Sequence, residues 1–243
     1  MFHDTWTNEY NTDGCVRVRG FLSAEEVQRV QKELERYIRE IVPTVPESDR
    51  TYEADGVNVR NLWRIDRYDE FFKELGNRAD ILERVSQVLN GQAELVALET
   101  FNKPSKVGSG VPHHQDNAYF CRTPADMLTI WIAIDAATME NGPIYYVKGS
   151  HKEGILKHVA SGVKGNSMFI KDPPAVDESR IFCGTLNPGD ALIHHCETIH
   201  YSGPNNSPFP RCGLLMVFRG THTTTDPKLK EAYMEANAVK KVG

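Results

Sequence analysis

The sequence predicts a mainly β protein with a helical N-terminal layer. Three observations carry this. From Glu94 to Phe218, short runs rich in β-branched and aromatic residues alternate with Gly, Pro and Asn. Ahead of them lie two segments whose apolar residues recur at helical spacing. No internal repeat or low-complexity tract interrupts the 243 residues, a length ample for one buried core. The expected organisation is one domain over residues 1–243. Its helical layer is expected at about 20–92 and its β core at about 93–220, closed as a sandwich or barrel.

The elements follow in order. Ser23 and Glu26 form a capping box, because the serine can accept an orphan amide and the glutamate can reach back. Val27, Val30, Leu34, Ile38 and Ile41 then make one apolar stripe, and Pro43 ends it. A second helix is expected from Ala79 to Leu89, stopped by Asn90-Gly91. Between the two, Arg50 to Tyr68 is polar and reads as loop, with Asn61–Ile65 as a short strand. The expected β runs are ELVALETF, MLTIWIAID, IYYV, SMFI, RIFCGTL, ALIHH and CGLLMVF, with turns at Asn141-Gly142-Pro143 and Asn187-Pro188-Gly189-Asp190. The charged tail from Pro227 to Val239 reads as a helix.

Composition narrows the function classes. Apolar residues make up 40% and charged residues 25%, as in ordinary soluble domains. A net charge of −5 and a pI near 6.0 argue against a nucleic-acid partner. No apolar run approaches the ~18 residues of a membrane span. The N-terminus MFHDTWTNEYNTDG carries no signal pattern, so a cytoplasmic location is expected. Five scattered cysteines without a CxxC read as free thiols in a reducing compartment. Oligomeric state is not legible in the sequence.

The stretch VPHHQDNAYF carries the chemistry. Side chains alternate along an extended chain, so His114 and Asp116 share a face. A third ligand would complete a two-histidine, one-carboxylate set that leaves adjacent positions open and suits non-haem Fe(II). The triplet alone says little, because roughly 0.5 His-x-Asp triplets are expected by chance in this composition. The third ligand is sought in ALIHHCETIHYSGPNNSPFPRCGLLMVF, which holds His194, His195 and His200. Strand parity admits both His194 and His200. His200 is preferred because it opens a turn, where a ligand can sit beside an open coordination site. Arg211 heads the next apolar run, and a hairpin would bring it back beside His200. A buried arginine there needs an anion, and its fork suits a carboxylate.

These residues lie within a longer pattern: DGCVRVRGFLSAEEV, NKP, HHQDNAYF, LTIWIAIDAATMENGPIYYVKGSH, NPGDALIHH and HYSGPNNSPFPRCGL. In that ordered set the sequence resembles the phytanoyl-CoA dioxygenase-like family of Fe(II)/2-oxoglutarate-dependent oxygenases. The resemblance covers most of the chain and implies a double-stranded β-helix, a cupin-like jelly roll. It implies His114, Asp116 and His200 as iron ligands, Arg211 as the anchor of the distal carboxylate of 2-oxoglutarate, and Ser202 beside it. Thr129, Trp131 and Gln115 fall at co-substrate-pocket positions, and Arg64 matches a basic residue that meets the co-substrate in relatives. Glu99 falls where relatives place an apolar co-substrate contact. An acid there is a departure, and the readings open to it are a co-substrate-pocket residue, a substrate contact, a group that tunes the pocket, or one that points away. Lys148 replaces a proline common in relatives, and His151 nearby reads as structural. Asp116 argues against a halogenase, which would carry a small residue at that position.

The implied chemistry uses Fe(II), 2-oxoglutarate and O2 on a small-molecule substrate, with hydroxylation of an unactivated C–H bond as the expected outcome. Desaturation, epimerisation and cyclisation are alternatives at the same site. A zinc-dependent hydrolase would use the three ligands but leave Arg211 without a role. A non-catalytic jelly-roll binding module would be expected to lose ligands, and none is lost.

Overall fold

The computed structural model describes residues 3–162 and 167–238. Helix α1 spans His3–Asp13, strand β1 Cys15–Val18 and helix α2 Ala24–Glu40. Strands β2 (Arg50–Tyr52) and β3 (Val59–Leu62) follow, then helices α3 (Glu70–Gly76) and α4 (Ala79–Val88). Next come β4 (Ala93–Lys103), β5 (Val111–His114), helix α5 (Asn117–Phe120), β6 (Arg122–Thr123), β7 (Met127–Ala133), β8 (Ile144–Val147) and β9 (His158–Ala160). Strands β10 (Met168–Ile170), β11 (Ile181–Gly184), β12 (Ala191–His195), β13 (His200–Ser202), β14 (Arg211–Gly220) and β15 (Thr224–Thr225) precede helix α6 (Pro227–Ala238).

Two antiparallel sheets make the body. The major sheet has the order β1-β12-β7-β14-β4-β3-β2, and the minor sheet β11-β8-β13-β5. Along the chain β4, β7, β12 and β14 belong to the major sheet, while β5, β8, β11 and β13 belong to the minor one. This four-plus-four winding is the double-stranded β-helix. The strands of the minor sheet are three or four residues long, whereas β4 and β14 of the major sheet run to 11 and 10.

The outer face of the major sheet is apolar and carries the helices. Leu98, Leu128, Ile130, Ile132, Ile193, Leu214, Met216 and Phe218 are buried in one cluster with Val27, Val30 and Leu34 of α2 and with Ile81 and Val85 of α4. Each such side chain contributes roughly 1.5–3 kcal/mol on burial. The capping box of α2 is formed: Glu26 N–H donates to Ser23 Oγ at 3.2 Å and Ser23 N–H to the Glu26 carboxylate at 2.7 Å. The opposite face of the major sheet lines the interior of the roll.

Local readings differ from the structure at several places, beginning with the expected loop at Arg50, where Arg50–Tyr52 forms β2 by pairing with β3. Helix α1 has no apolar stripe to reveal it and docks through Trp6 and the buried Tyr10. Helix α3 is too short for a periodic signal. Asp69 caps it by accepting from Phe71 N–H at 3.1 Å, and Phe72 and Leu75 are buried. The strand expected at Asn61–Ile65 lies two residues earlier at Val59–Leu62, because Arg64 takes a left-handed conformation (φ 54) and Ile65 begins a 3-10 turn. Helix α4 ends at Val88 with Leu89 already extended, so Asn90-Gly91 follows the stop instead of making it. Strands β1, β5, β9 and β13 are too brief to show an alternating pattern. The expected tail helix is α6, and its last expected residue, Val239, lies outside the described residues.

Among the described residues no helix is long and apolar enough to cross a membrane. All five cysteines are unpaired. One packing contact ties the fold to the interior. A Cβ at Gly213 would overlap the Trp131 indole, over which the Arg211 guanidinium stacks at 5.0 Å. Gly213→Ala is therefore expected to lower stability by about 1–3 kcal/mol. Urea unfolding of the two chains side by side measures it, and an unchanged midpoint would show that the indole has room to move.

Candidate active site

Between the sheets lies a cavity of about 650 Å³. Strands β5 and β13 pair so that His114 and His200 face each other directly, and their rings are 4.0 Å apart. Asp116 follows in the turn that opens α5. Its Oδ1 lies 3.5 Å from His114 Nε2 and 3.5 Å from His200 Nε2. The three ligand atoms all lie within 4.8 Å of one another, and all three residues are buried. Each histidine has its Nδ1 2.9 Å from a backbone carbonyl, that of Pro112 for His114 and that of Thr198 for His200. An Nδ1–H donating there leaves both Nε2 lone pairs turned inward. This donor set, with both imidazoles fixed in one tautomer, fits a divalent transition metal.

The electrostatics agree with a cation at that point. Burial alone would raise the Asp116 carboxyl, but His200, His114 and His194 hold it well below its ordinary range. Burial and the neighbouring His114 push His200 well below the usual histidine value, with Asp116 opposing the fall. The second oxygen of Asp116 is also held. His194 Nε2 lies 3.2 Å from it and Thr129 Oγ1 3.3 Å, while Tyr146 O–H donates to His194 Nδ1 at 3.0 Å. Tyr119 O–H donates to Oδ1 itself.

Arg211 begins β14 and is buried in the same cavity wall. It donates to the Gly142 carbonyl, stacks on Trp131, and leaves its Nε without a partner. Among the described residues no carboxylate pairs with it. Burial pulls the guanidinium down to about 10, which keeps it cationic at neutral pH. A buried cation without a counter-ion is costly unless a ligand supplies one. The other fully buried arginine differs in this respect, since Arg60 pairs with Glu53 at 3.1 Å, and the half-buried Arg64 pairs with the buried Asp49.

The remaining sequence candidates divide. Thr129, Trp131, Ser202, Arg64 and Glu99 all line the cavity. Thr129 supports Asp116 directly, and the guanidinium of Arg64 is held by Asp49. Gln115 is a correction. Its side chain turns away from the cavity, donating to the carbonyls of Gly154 and Glu197 and accepting from Leu156 N–H, at 2.8–2.9 Å. Gln115 lies just past the end of β5, where these three hydrogen bonds hold its side chain outside the cavity. His113 also faces out and stacks on Tyr201 at 3.8 Å. His151 approaches the Asn11 carbonyl, far along the chain from the triad.

Sequence reasoning missed several contributors. His194 shares strand parity with His200, so its presence in the cavity was signalled, but not its bond to Asp116. His158 accepts from Gln115 N–H at 2.9 Å, and Tyr119 reaches Asp116; both depend on turns with no sequence signature. Because His194 orients the Asp116 carboxylate, His194→Ala is expected to weaken any divalent metal binding at this cluster by about 10–100-fold. Titration with Co(II) reads this directly, and wild-type affinity in the variant would show that Thr129 alone suffices.

Comparison with known proteins agrees with this geometry. The family model of phytanoyl-CoA dioxygenase (PhyH) matches residues 10–213. A probable alpha-ketoglutarate-dependent hypophosphite dioxygenase of Stutzerimonas stutzeri is 27% identical over 223 residues, spanning 86% of this chain and 76% of that protein. The structure of EctD from S. alaskensis with 2-oxoglutarate and 5-hydroxyectoine has a TM-score of 0.74 at 19% identity, covering 88% of this chain and 74% of that one. The alpha ketoglutarate-dependent epimerase SnoN from nogalamycin biosynthesis gives 0.70 at 20% identity, covering 91% and 82%. At such identities the structural likeness is one of fold. The family match spans α1 to the start of β14 and takes in the whole His-Asp-His cluster and Arg211. The chain belongs to the phytanoyl-CoA dioxygenase family of Fe(II)/2-oxoglutarate-dependent oxygenases.

Proposed function

We propose that this chain hydroxylates an unactivated C–H bond of a small-molecule substrate, with His114, Asp116 and His200 holding Fe(II) and Arg211 anchoring 2-oxoglutarate. The observation that carries the reading is the pairing of two unfilled needs in one cavity. Three inward ligand atoms await a cation, and a buried guanidinium awaits an anion. A hydrolytic metal site would account for the first and not the second.

When bound, the iron supplies activation of O2 coupled to conversion of 2-oxoglutarate to succinate and CO2. The rest falls to the chain. His114, Asp116 and His200 occupy one side of the metal position and leave the other side open. His194 and Thr129 hold one oxygen of Asp116, so the other stays aimed at that position. Arg211 receives the distal carboxylate through its free N–H groups, Trp131 fixes the plane of its fork, and Ser202 stands beside it. Trp63, Phe101, Tyr119 and Phe120 wall the cavity and exclude water. The same residues serve desaturation, epimerisation or cyclisation, since substrate geometry decides the outcome. The five unpaired cysteines support a reducing, cytoplasmic setting.

Arg211→Ala is expected to weaken 2-oxoglutarate binding by about 2–4 kcal/mol, roughly 30- to 1000-fold. His200→Ala is expected to abolish the weak visible charge-transfer band that Fe(II) and 2-oxoglutarate give together under anaerobic conditions. Unchanged co-substrate affinity in the first variant would remove Arg211 as the anchor. Tight Zn(II) binding with no visible band in the wild-type chain would favour a hydrolase.

A further inference from the structure

Glu99 is the cavity carboxylate that neither the metal set nor the co-substrate anchor uses. It sits on β4 opposite Leu215 of β14, which in turn pairs with Trp131 of β7, so its side chain belongs to the cavity floor. Among the described residues no hydrogen bond or ion pair satisfies it. The nearest cation, Arg64, is committed elsewhere: its Nε donates to Asp49 at 3.1 Å and its terminal nitrogen pairs with the same carboxylate, which also accepts from Tyr68 O–H at 2.7 Å. Glu99 is half-buried and its carboxyl is open to the cavity, so a group entering the cavity can reach it.

Its surroundings indicate what would satisfy it. Trp63, Phe101, Tyr119 and Phe120 share the cavity wall with it. Aromatic faces beside a carboxylate make a site for a cationic nitrogen, because ring quadrupoles and the carboxylate attract the same charge. The other cavity charges are assigned, Asp116 to the metal and Arg211 to the co-substrate carboxylate. Burial pushes the Glu99 carboxyl up to about 8, with Arg64 opposing the rise and Asp116, Asp66 and Asp49 adding to it. A cation brought alongside would reverse that rise.

We propose that Glu99 determines substrate specificity, and that the substrate oxidised here carries a positively charged nitrogen, an amine or quaternary ammonium, seated between Glu99 and the aromatic wall. This rests on the oxygenase reading above. The test uses the anaerobic chain loaded with Fe(II) and 2-oxoglutarate, first verified by its charge-transfer band. Butylammonium, butyltrimethylammonium, butanol and butyrate are then titrated calorimetrically, at a pH about one unit above the Glu99 range, where butylammonium is still charged. The two cations are expected to bind about tenfold or more tightly than butanol. In Glu99→Gln that gap is expected to shrink to within about twofold, with 2-oxoglutarate affinity as the internal reference. Equal affinity for cations and butanol in the wild-type chain would overturn the proposal. So would a gap that persists in Glu99→Gln, or a variant whose main loss is 2-oxoglutarate affinity, which would place Glu99 in the co-substrate site. Absence of the band in the wild-type chain would overturn the oxygenase reading itself and, with it, this inference.

Discussion

The pairing of His200 against His114 across two short antiparallel strands is the constraint on which the site depends. Strand β13 pairs with β5 on one side and with β8 on the other, so its position is set from both edges. The register is irregular between His200 and Ser202, where Ser202 pairs with Val111. A one-residue slip would send His113 inward and His114 out, because side chains alternate along a strand. The two ligand strands are brief, and the long pairing of β14 with β4 and β7 supplies the rigidity they lack. The apolar helices matter here indirectly. They bury the outer face of the major sheet and leave its inner face free to be polar.

That inner face carries charges the fold does not neutralise. Asp116 and Arg211 line one cavity, yet neither is the other's counter-ion. Elsewhere the same chain pairs buried charges closely, as with Arg60 and Glu53, or the buried Asp49 with the half-buried Arg64. Lys103, buried at the end of β4 and donating to the Gly203 carbonyl, is pulled down to about 6 by burial and by the positive charges of Arg211 and Arg60. A lysine lowered that far sheds its charge, whereas a guanidinium in the same surroundings keeps it. This difference explains why arginine, and not lysine, can serve as a permanent anion anchor at such depth.

Much of this was legible from residue pattern. The stripe Val27-Val30-Leu34 marks α2 and its buried face, although Ile38 of the same stripe is exposed and Tyr37 is buried in its place. Of the seven spaced β runs, six are strands of the two main sheets and SMFI is β10, which pairs with β9 apart from them. His114 and Asp116 could be placed on one side by alternation alone, and Arg211 could be placed near His200 by loop length. Other features depend on tertiary contacts. Helix α1 has no stripe, since only Trp6 and Tyr10 anchor it. The left-handed turn at Arg64 shifts a strand by two residues with no glycine or asparagine to announce it. Gln115 was placed in the pocket by family position, although its parity argued otherwise. The choice between His194 and His200 could not be made by parity, because both enter the cavity and differ only in what they touch there.

Gln115 carries a mechanical consequence. Its side chain is bonded to the backbone at Gly154, Leu156 and Glu197, and its own amide is gripped by His158 of β9. The one residue between His114 and Asp116 is thus fastened to a distant surface segment. Any displacement of the segment from Gly154 to His158 would be transmitted as torque on the peptide joining His114 to Asp116. A loop with no atom in the cavity is thereby geared to the angle at which His114 and Asp116 face one another.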